Sequence, residues 1–193
     1  VEDLGPAYRL SASSLTDPDA GGPIETTTTS ATRFNRIDRS CPGARPPDLT
    51  AHATVPDAVW VQFSDDADRT VEVGVAPLPA AFAGSAMEAL RKAIDACEPF
   101  GDENPAGTSK TTLEASPLTD VGDGGLDILS TDVVEGAGVR WETRDRTYLF
   151  VVGDVLVAVR SVSGMDPEAM EPVPVDLEVV PALADQVAAA LGS

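Results

Sequence analysis

The stretch from Arg146 to Arg160, reading Arg-Thr-Tyr-Leu-Phe-Val-Val-Gly-Asp-Val-Leu-Val-Ala-Val-Arg, constrains the fold more than any other part of the chain. Two apolar runs flank a Gly-Asp pair, and a two-residue hairpin turn needs the positive φ that glycine takes without strain. With Val152 opposite Val155, Tyr148, Phe150 and Val152 share one face with Val155, Val157 and Val159. Thr147, Leu149 and Val151 share the other face with Leu156, Ala158 and Arg160. Near the turn both faces are apolar, so the hairpin is predicted to be buried on both sides and central to a sheet.

A second hairpin precedes it. Val59, Val61 and Phe63 alternate, as do Val71, Val73 and Val75, with an acidic connection containing Asp65, Asp66 and Asp68. A four-residue connection would set Val61 opposite Glu72, so three or five residues are predicted. Trp60 and Gln62 then lie on the face of Thr70 and Glu72. An indole there is either covered by a helix or loop or lines a binding surface.

Between the hairpins, Ser85–Cys97 has the periodicity of a helix. Met87, Leu90, Ile94 and Cys97 recur at three- and four-residue steps, and Ser85 with Glu88 forms a capping-box pattern. Pro99 and Gly101 end it. Strands are expected over 108–115, 126–134 and 139–152. In the last of these the apolar phase changes, from Val139 and Trp141 to Tyr148 and Phe150, and a bulge near 143–146 would reconcile the halves. A closing helix over 176–191 carries Val180, Leu183, Ala184, Val187 and Leu191 on one side, with Pro181 near its start restricting the regular part to about 181–191. The expected fold is α+β: a twisted antiparallel sheet built from hairpins with two main helices packed on it, both on one face. Residues 1–40 mix turn formers and small polar residues without a sustained period, and are expected to be a weakly structured segment or tether ahead of one domain over 41–193.

With 193 residues the chain can bury one good core, built from aliphatic side chains because aromatics make up only 5%. Its 32 acidic against 13 basic residues give a net charge of −19, which repels phosphate, so nucleic acid and anionic membrane are poor partners. No run reaches the ~20 apolar residues of a membrane span, and Val1-Glu-Asp is not the basic start of a signal peptide. Cys41 and Cys97 are too few and too far apart for a zinc site; they are two buried thiols or one disulfide. The disulfide is the favoured reading. It places the protein outside the cytoplasm, and the chain-entropy model credits it with roughly 4 kcal/mol.

Catalytic patterns are missing. His52, beside Thr50 and Asp57, is the one histidine, and no G-x-S-x-G, S-x-x-K, H-E-x-x-H, P-loop or G-x-G-x-x-G pattern occurs. Neither Asp65/Asp66/Asp68 nor Asp120/Asp123 follows the full calcium-loop pattern, so turn chemistry explains both, and no metal or cofactor is expected. Arg33, Arg36 and Arg39 read as a solvated basic segment. Arg140, Arg144 and Trp141 form either an anion-receiving patch or a solvated strand face.

Val71-Glu-Val-Gly-Val75 followed by an Ala-rich helix ending at Cys97, then Leu118-Thr-Asp-Val-Gly-Asp, Val151-Val-Gly-Asp-Val-Leu-Val-Ala-Val159 and a terminal Ala-rich helix, resemble a known family. These are extracytoplasmic sensor-type domains and lipoproteins of actinobacteria, including the ectodomains of mycobacterial serine/threonine kinases of the PknH type. The resemblance implies a secreted α+β domain with a cleft that binds a ligand or partner without catalysis. The expected function is therefore a non-catalytic extracytoplasmic domain, secreted or lipid-anchored, that binds a small ligand or an envelope protein. Its contact residues are Trp60, Arg140, Trp141 and Arg144. The alternative is a secreted hydrolase whose carboxylate pair is assembled only in the fold.

Overall fold

The two-sided apolar hairpin lies at the middle of the sheet. The computed structural model describes residues 8–13, 40–44, 46, 58–67, 69–78, 85–104, 107–136, 138–166, 168 and 171–192. In chain order the elements are β1 (Arg9–Ser13), β2 (Val59–Ser64), β3 (Thr70–Pro77), α1 (Ala86–Asp95), β4 (Glu103–Asn104), β5 (Gly107–Leu118), β6 (Gly125–Gly136), β7 (Val139–Val152), β8 (Val155–Val162), β9 (Gly164–Asp166), β10 (Glu171–Val173) and α2 (Val179–Leu191). Eight strands form one open sheet in the order β1-β2-β3-β8-β7-β6-β5-β4, and β9 with β10 forms a small separate hairpin. All neighbours in the large sheet are antiparallel.

Val152 stands opposite Val155, and Gly153 at the turn has φ 61°. Leu149 and Phe150, adjacent in sequence and on opposite faces, are both fully buried. Each face has its own core. Leu149 and Leu156 pack with Leu126, Ile128 and the α1 residues Leu90 and Ile94. Phe150, Val157 and Val159 pack with Val71 and the α2 residues Val180, Leu183 and Ala184. The helices therefore lie on opposite faces, not on one as expected. The reason is already in the hairpin: a strand pair apolar on both sides needs a cover on both, and each helix supplies one stripe.

The first hairpin has the predicted register. Val61 faces Val73, Phe63 faces Val71, and the connection from 65 to 69 has five residues. Asp65 organises that turn: its Oδ1 accepts the Ala67 and Arg69 N–H groups, each at 3.0 Å, and its Oδ2 accepts Arg69 Nε at 2.6 Å. Burial pushes the Asp65 carboxyl up, but the guanidinium and the two amides outweigh it and hold it below its ordinary value.

Three expectations are corrected. β7 has no bulge; its pairing with β6 runs unbroken from Gly125–Phe150 to Gly136–Val139. The change from Arg140, Glu142, Arg144 and Arg146 to Tyr148 and Phe150 occurs on one continuous face, because α2 covers only the latter part of the strand. The capping box at Ser85 is not formed: Ser85 has near-helical angles (φ −82°, ψ 2°) in place of the extended ones of a capping residue, and its side chain makes no cap hydrogen bond. Glu88 pairs with Arg91 instead at 2.8 Å, and this guanidinium holds its carboxyl down at about 2. Finally, Arg9–Ser13 adds an edge strand from within the segment expected to be weakly structured, its register shifting between Leu10 and Ala12. Five residues with an irregular register leave too short an alternation to read. Pro181 is tolerated in the first turn of α2, where no intrahelical N–H bond is lost.

Cys41 and Cys97 form a disulfide with Cα atoms 5.4 Å apart. It ties the segment holding Ala44, fully buried in the α1-side core, to the end of α1.

Candidate binding surface

β8 pairs with β7 only as far as Arg146–Ser161. Beyond that point β7 continues from Asp145 back to Val139 in a ladder with β6; β6 pairs with β5, β5 pairs at its outer end with β4, and β10 of the small hairpin lies against β7. Seven further residues carry this arm about 24 Å past the end of the β7–β8 ladder. It results from strand length: β5, β6 and β7 have 12, 12 and 14 residues, against 8 each for β3 and β8.

The arm has two unlike faces. On the α2 side Glu135 faces Arg140, Val133 faces Glu142, and Thr131 faces Arg144. Arg140 pairs with Glu135 at 2.9 Å and Glu142 at 3.8 Å, while Arg144 pairs with Glu142 at 2.9 Å. The two arginines are 61% and 57% exposed. An incoming anion would have to compete with carboxylates already in place, so the ladder is a solvated strand face. On the α1 side Val134 faces Trp141. Val134 and Val139 are exposed, and Trp141 is half-buried.

Of the residues proposed as contacts, Arg140, Trp141 and Arg144 come together on the arm, the arginines on one face and the indole on the other. Trp60 does not join them. It is only 2% exposed, opposite Gly74 in a row that continues through Ala158, Leu149 and Leu126. That row lies eight residues along β7 from Trp141, about 27 Å at strand spacing. The covered-indole alternative describes Trp60, which meets no ligand from solution.

Sequence reading missed a polar cluster where the arm meets α2. Arg146 donates to both carboxylate oxygens of Asp127 (Nε 3.0 Å, Nη2 2.9 Å) and to Tyr148 Oη at 3.1 Å. It lies 3.5 Å from Glu178, the residue before α2, with its guanidinium carbon 5.0 Å from the Tyr148 ring centroid. Hydrogen bonding to Asp127 raises the Arg146 pKa, and burial raises that of Tyr148. Through Glu178 this group reaches from the sheet to the start of α2. The missing signal was the β6–β7 register, which alone sets Asp127 diagonally across from Arg146. A second missed pair, Arg160 and Glu72, lies on the α1 side at 3.7 Å, both side chains largely buried.

The acidic turns are engaged locally. Asp123 accepts the Gly153 N–H at 2.7 Å, docking the β5–β6 turn on the β7–β8 turn, and Asp120 accepts the Thr119 hydroxyl at 2.8 Å. Among the described residues no group of three or more His, Cys, Asp or Glu side chains is gathered to hold a metal. Nor is any helix among them long and apolar enough to cross a membrane. His52, Thr50, Asp57, Asp68 and the arginines at 33, 36 and 39 lie outside the described residues. No family model, curated protein or solved structure matches this chain.

Proposed function

We propose that this chain is a non-catalytic, extracytoplasmic binding domain of the sensor type, secreted or lipid-anchored at a bacterial envelope, which engages a small ligand or an envelope protein through the β5–β6–β7 arm. The observation that carries this reading is the Cys41–Cys97 disulfide, because such bridges persist in oxidising compartments and are reduced in most cytoplasms. The arm supports it: running past the end of the β7–β8 ladder, it presents Arg140 and Arg144 on one side and Trp141 with Val134 and Val139 on the other. Three of the aspartates are engaged within the fold, Asp65 by Arg69, Asp127 by Arg146 and Asp123 by a backbone amide. The resemblance to actinobacterial sensor-type domains and lipoproteins points the same way.

The test is a photo-crosslinking residue at Trp141 in the protein expressed by its own cells, with exposed Val59 as the control position. Adducts with an envelope component at 141 but not at 59 are expected. Adducts confined to 59, or free thiols at Cys41 and Cys97 in the recovered protein, would overturn the reading.

A further inference from the structure

The two faces of β2 and β3 are buried against their composition. On the α1 side Trp60, Glu72 and Ala76 are almost wholly removed from water. On the α2 side Val59, Val61 and Phe63 face Val75, Val73 and Val71, and of these only Val71 is fully buried. Val59 is 47% exposed, and Val59, Val61 and Val75 join neither core. The cause is the position of α2, which lies over β7 and β8. Beside it, one step down, β2 and β3 present a strip without a charged side chain in a chain that has 32 acidic residues. Exposed Leu10 of β1, opposite Phe63, extends the strip. A solvated strand face would alternate with polar residues here.

The strip has the dimensions of a helix seat. The order β2-β3-β8-β7 sets the middle of β2–β3 two strand spacings, about 9.6 Å, from the middle of β7–β8. Helices pack side by side at about 8–10 Å, so a helix laid on the strip would touch α2. A bare sheet cannot take that place, because sheets pack about 10 Å apart and α2, about 10 Å across, holds an incoming sheet further away. α2 also has an uncovered side. Val180, Leu183 and Ala184 are its buried residues, while Ala182 and Ala189 point away from them and are exposed. Asp185 and Gln186 are the only polar side chains in its 13 residues. A helix so poor in polar groups is normally covered on more than one side.

Such a step is complementary to itself. Turned over about a two-fold axis parallel to the sheets, a second copy lowers its α2 onto the strip of the first, and its own strip receives the α2 of the first. The helices then lie side by side in one layer between two sheets, each covering β7–β8 of its own chain and β2–β3 of the other. A foreign helix would fill the strip and leave the outward side of α2 in water; a second copy covers both. Charge favours this occupant too. Two chains of net charge −19 repel, yet the strip and the helix bring only Asp185 from each copy into the contact.

We infer that the valine strip of β2–β3 and the outward side of α2 form an isologous interface between two copies of this chain. Two seats along a helix about 20 Å long come near the lower range of specific interfaces, about 1,200 Å², so the dimer is weak and reversible. The inference is independent of what the arm binds.

Sedimentation velocity from micromolar to millimolar protein tests it, with each substitution at an exposed residue outside both cores. Val59→Glu on the strip and Ala189→Glu on the helix are each expected to weaken association at least about tenfold, because each sets a charge in an apolar contact. Lys110→Glu, on exposed β5, adds more negative charge than either and is expected to change association less than about twofold at physiological salt. An equal loss there would assign the effect to net repulsion and overturn the proposal. In amide spectra over the same concentrations, peaks of residues 59–63, 71–75 and 182–191 are expected to shift; shifts confined to 107–136 would overturn it. A monomeric wild type at all concentrations, or a dimer that survives both glutamates, refutes it. A photo-adduct of residue 59 with twice the mass of the chain reports this contact, and its mass separates it from an envelope adduct.

Discussion

Leu149 and Phe150 are consecutive and fully buried, yet they belong to different cores, and this can be tested energetically. Ile94 on α1 shares the first core with Ile128, while Phe150 lies in the second, beneath α2. Ile94→Ala and Ile128→Ala should each cost about 2–5 kcal/mol, and Phe150→Ala about 3–5 kcal/mol, from lost transfer energy and the cavity left behind. The low end is expected for Ile94, because α1 buries only Leu90 and Ile94 and can settle toward the gap. Coupling carries the information. Ile94→Ala with Ile128→Ala removes two walls of one core, so the double variant should depart from additivity by roughly 0.5–3 kcal/mol; Ile94→Ala with Phe150→Ala should be additive within about 0.5 kcal/mol. Urea unfolding with the disulfide intact measures the five variants and the wild type, with a fixed concentration of a stabilising osmolyte to keep the doubles folded. If Ile94 couples to Phe150 and not to Ile128, the assignment of the helices to opposite faces is wrong.

Three shorter predictions accompany it. Replacing both Cys41 and Cys97 by Ser should lower stability by about 4 kcal/mol on the chain-entropy model, read as a shift in urea midpoint. No shift would mean that the bridge does not constrain the unfolded chain. The Asp65 carboxyl is held below its unfolded value, so its contribution is present above the unfolded pKa and is lost as pH falls through the folded one. Asp65→Asn should therefore cost about 1.5–3 kcal/mol at neutral pH and flatten the acid limb of the stability curve; an unchanged acid limb would show that Arg69 does not hold the carboxylate. Burial raises the Tyr148 pKa while Arg146 opposes the rise, so Arg146→Met in a Tyr8→Phe background should move the phenol still higher in an ultraviolet titration, and a downward move would contradict the cluster geometry.

Local pattern carried much of the architecture. Alternation in β2, β3 and β8, the Gly-Asp turn, the 85–97 periodicity and the parity argument for a connection of three or five residues all express side-chain period, which neighbouring residues set by themselves. The bulge expected in β7 failed for the opposite reason: the phase of a strand reports what covers it, and α2 ends its cover partway along. Ser85 failed because a cap depends on the backbone angles of one residue, which the pattern does not encode. Of the candidate site, Arg140, Trp141 and Arg144 were legible as one strand, whereas the burial of Trp60 was not, because the row it joins continues beyond Gly74 of its own hairpin to Ala158 and Leu149 of the other.

From its sequence alone this protein is an antiparallel α+β domain with a central hairpin apolar on both faces, and its two cysteines are placed where one bridge would join a buried helix to an earlier segment. Only the tertiary structure decided that the helices take opposite faces, that Asp127 meets Arg146, and that β5, β6 and β7 outrun β3 and β8 to form an arm. The division has a physical cause. Which way a side chain points is fixed within a few residues, but what it meets depends on register between strands far apart in the chain, and on where each covering element stops.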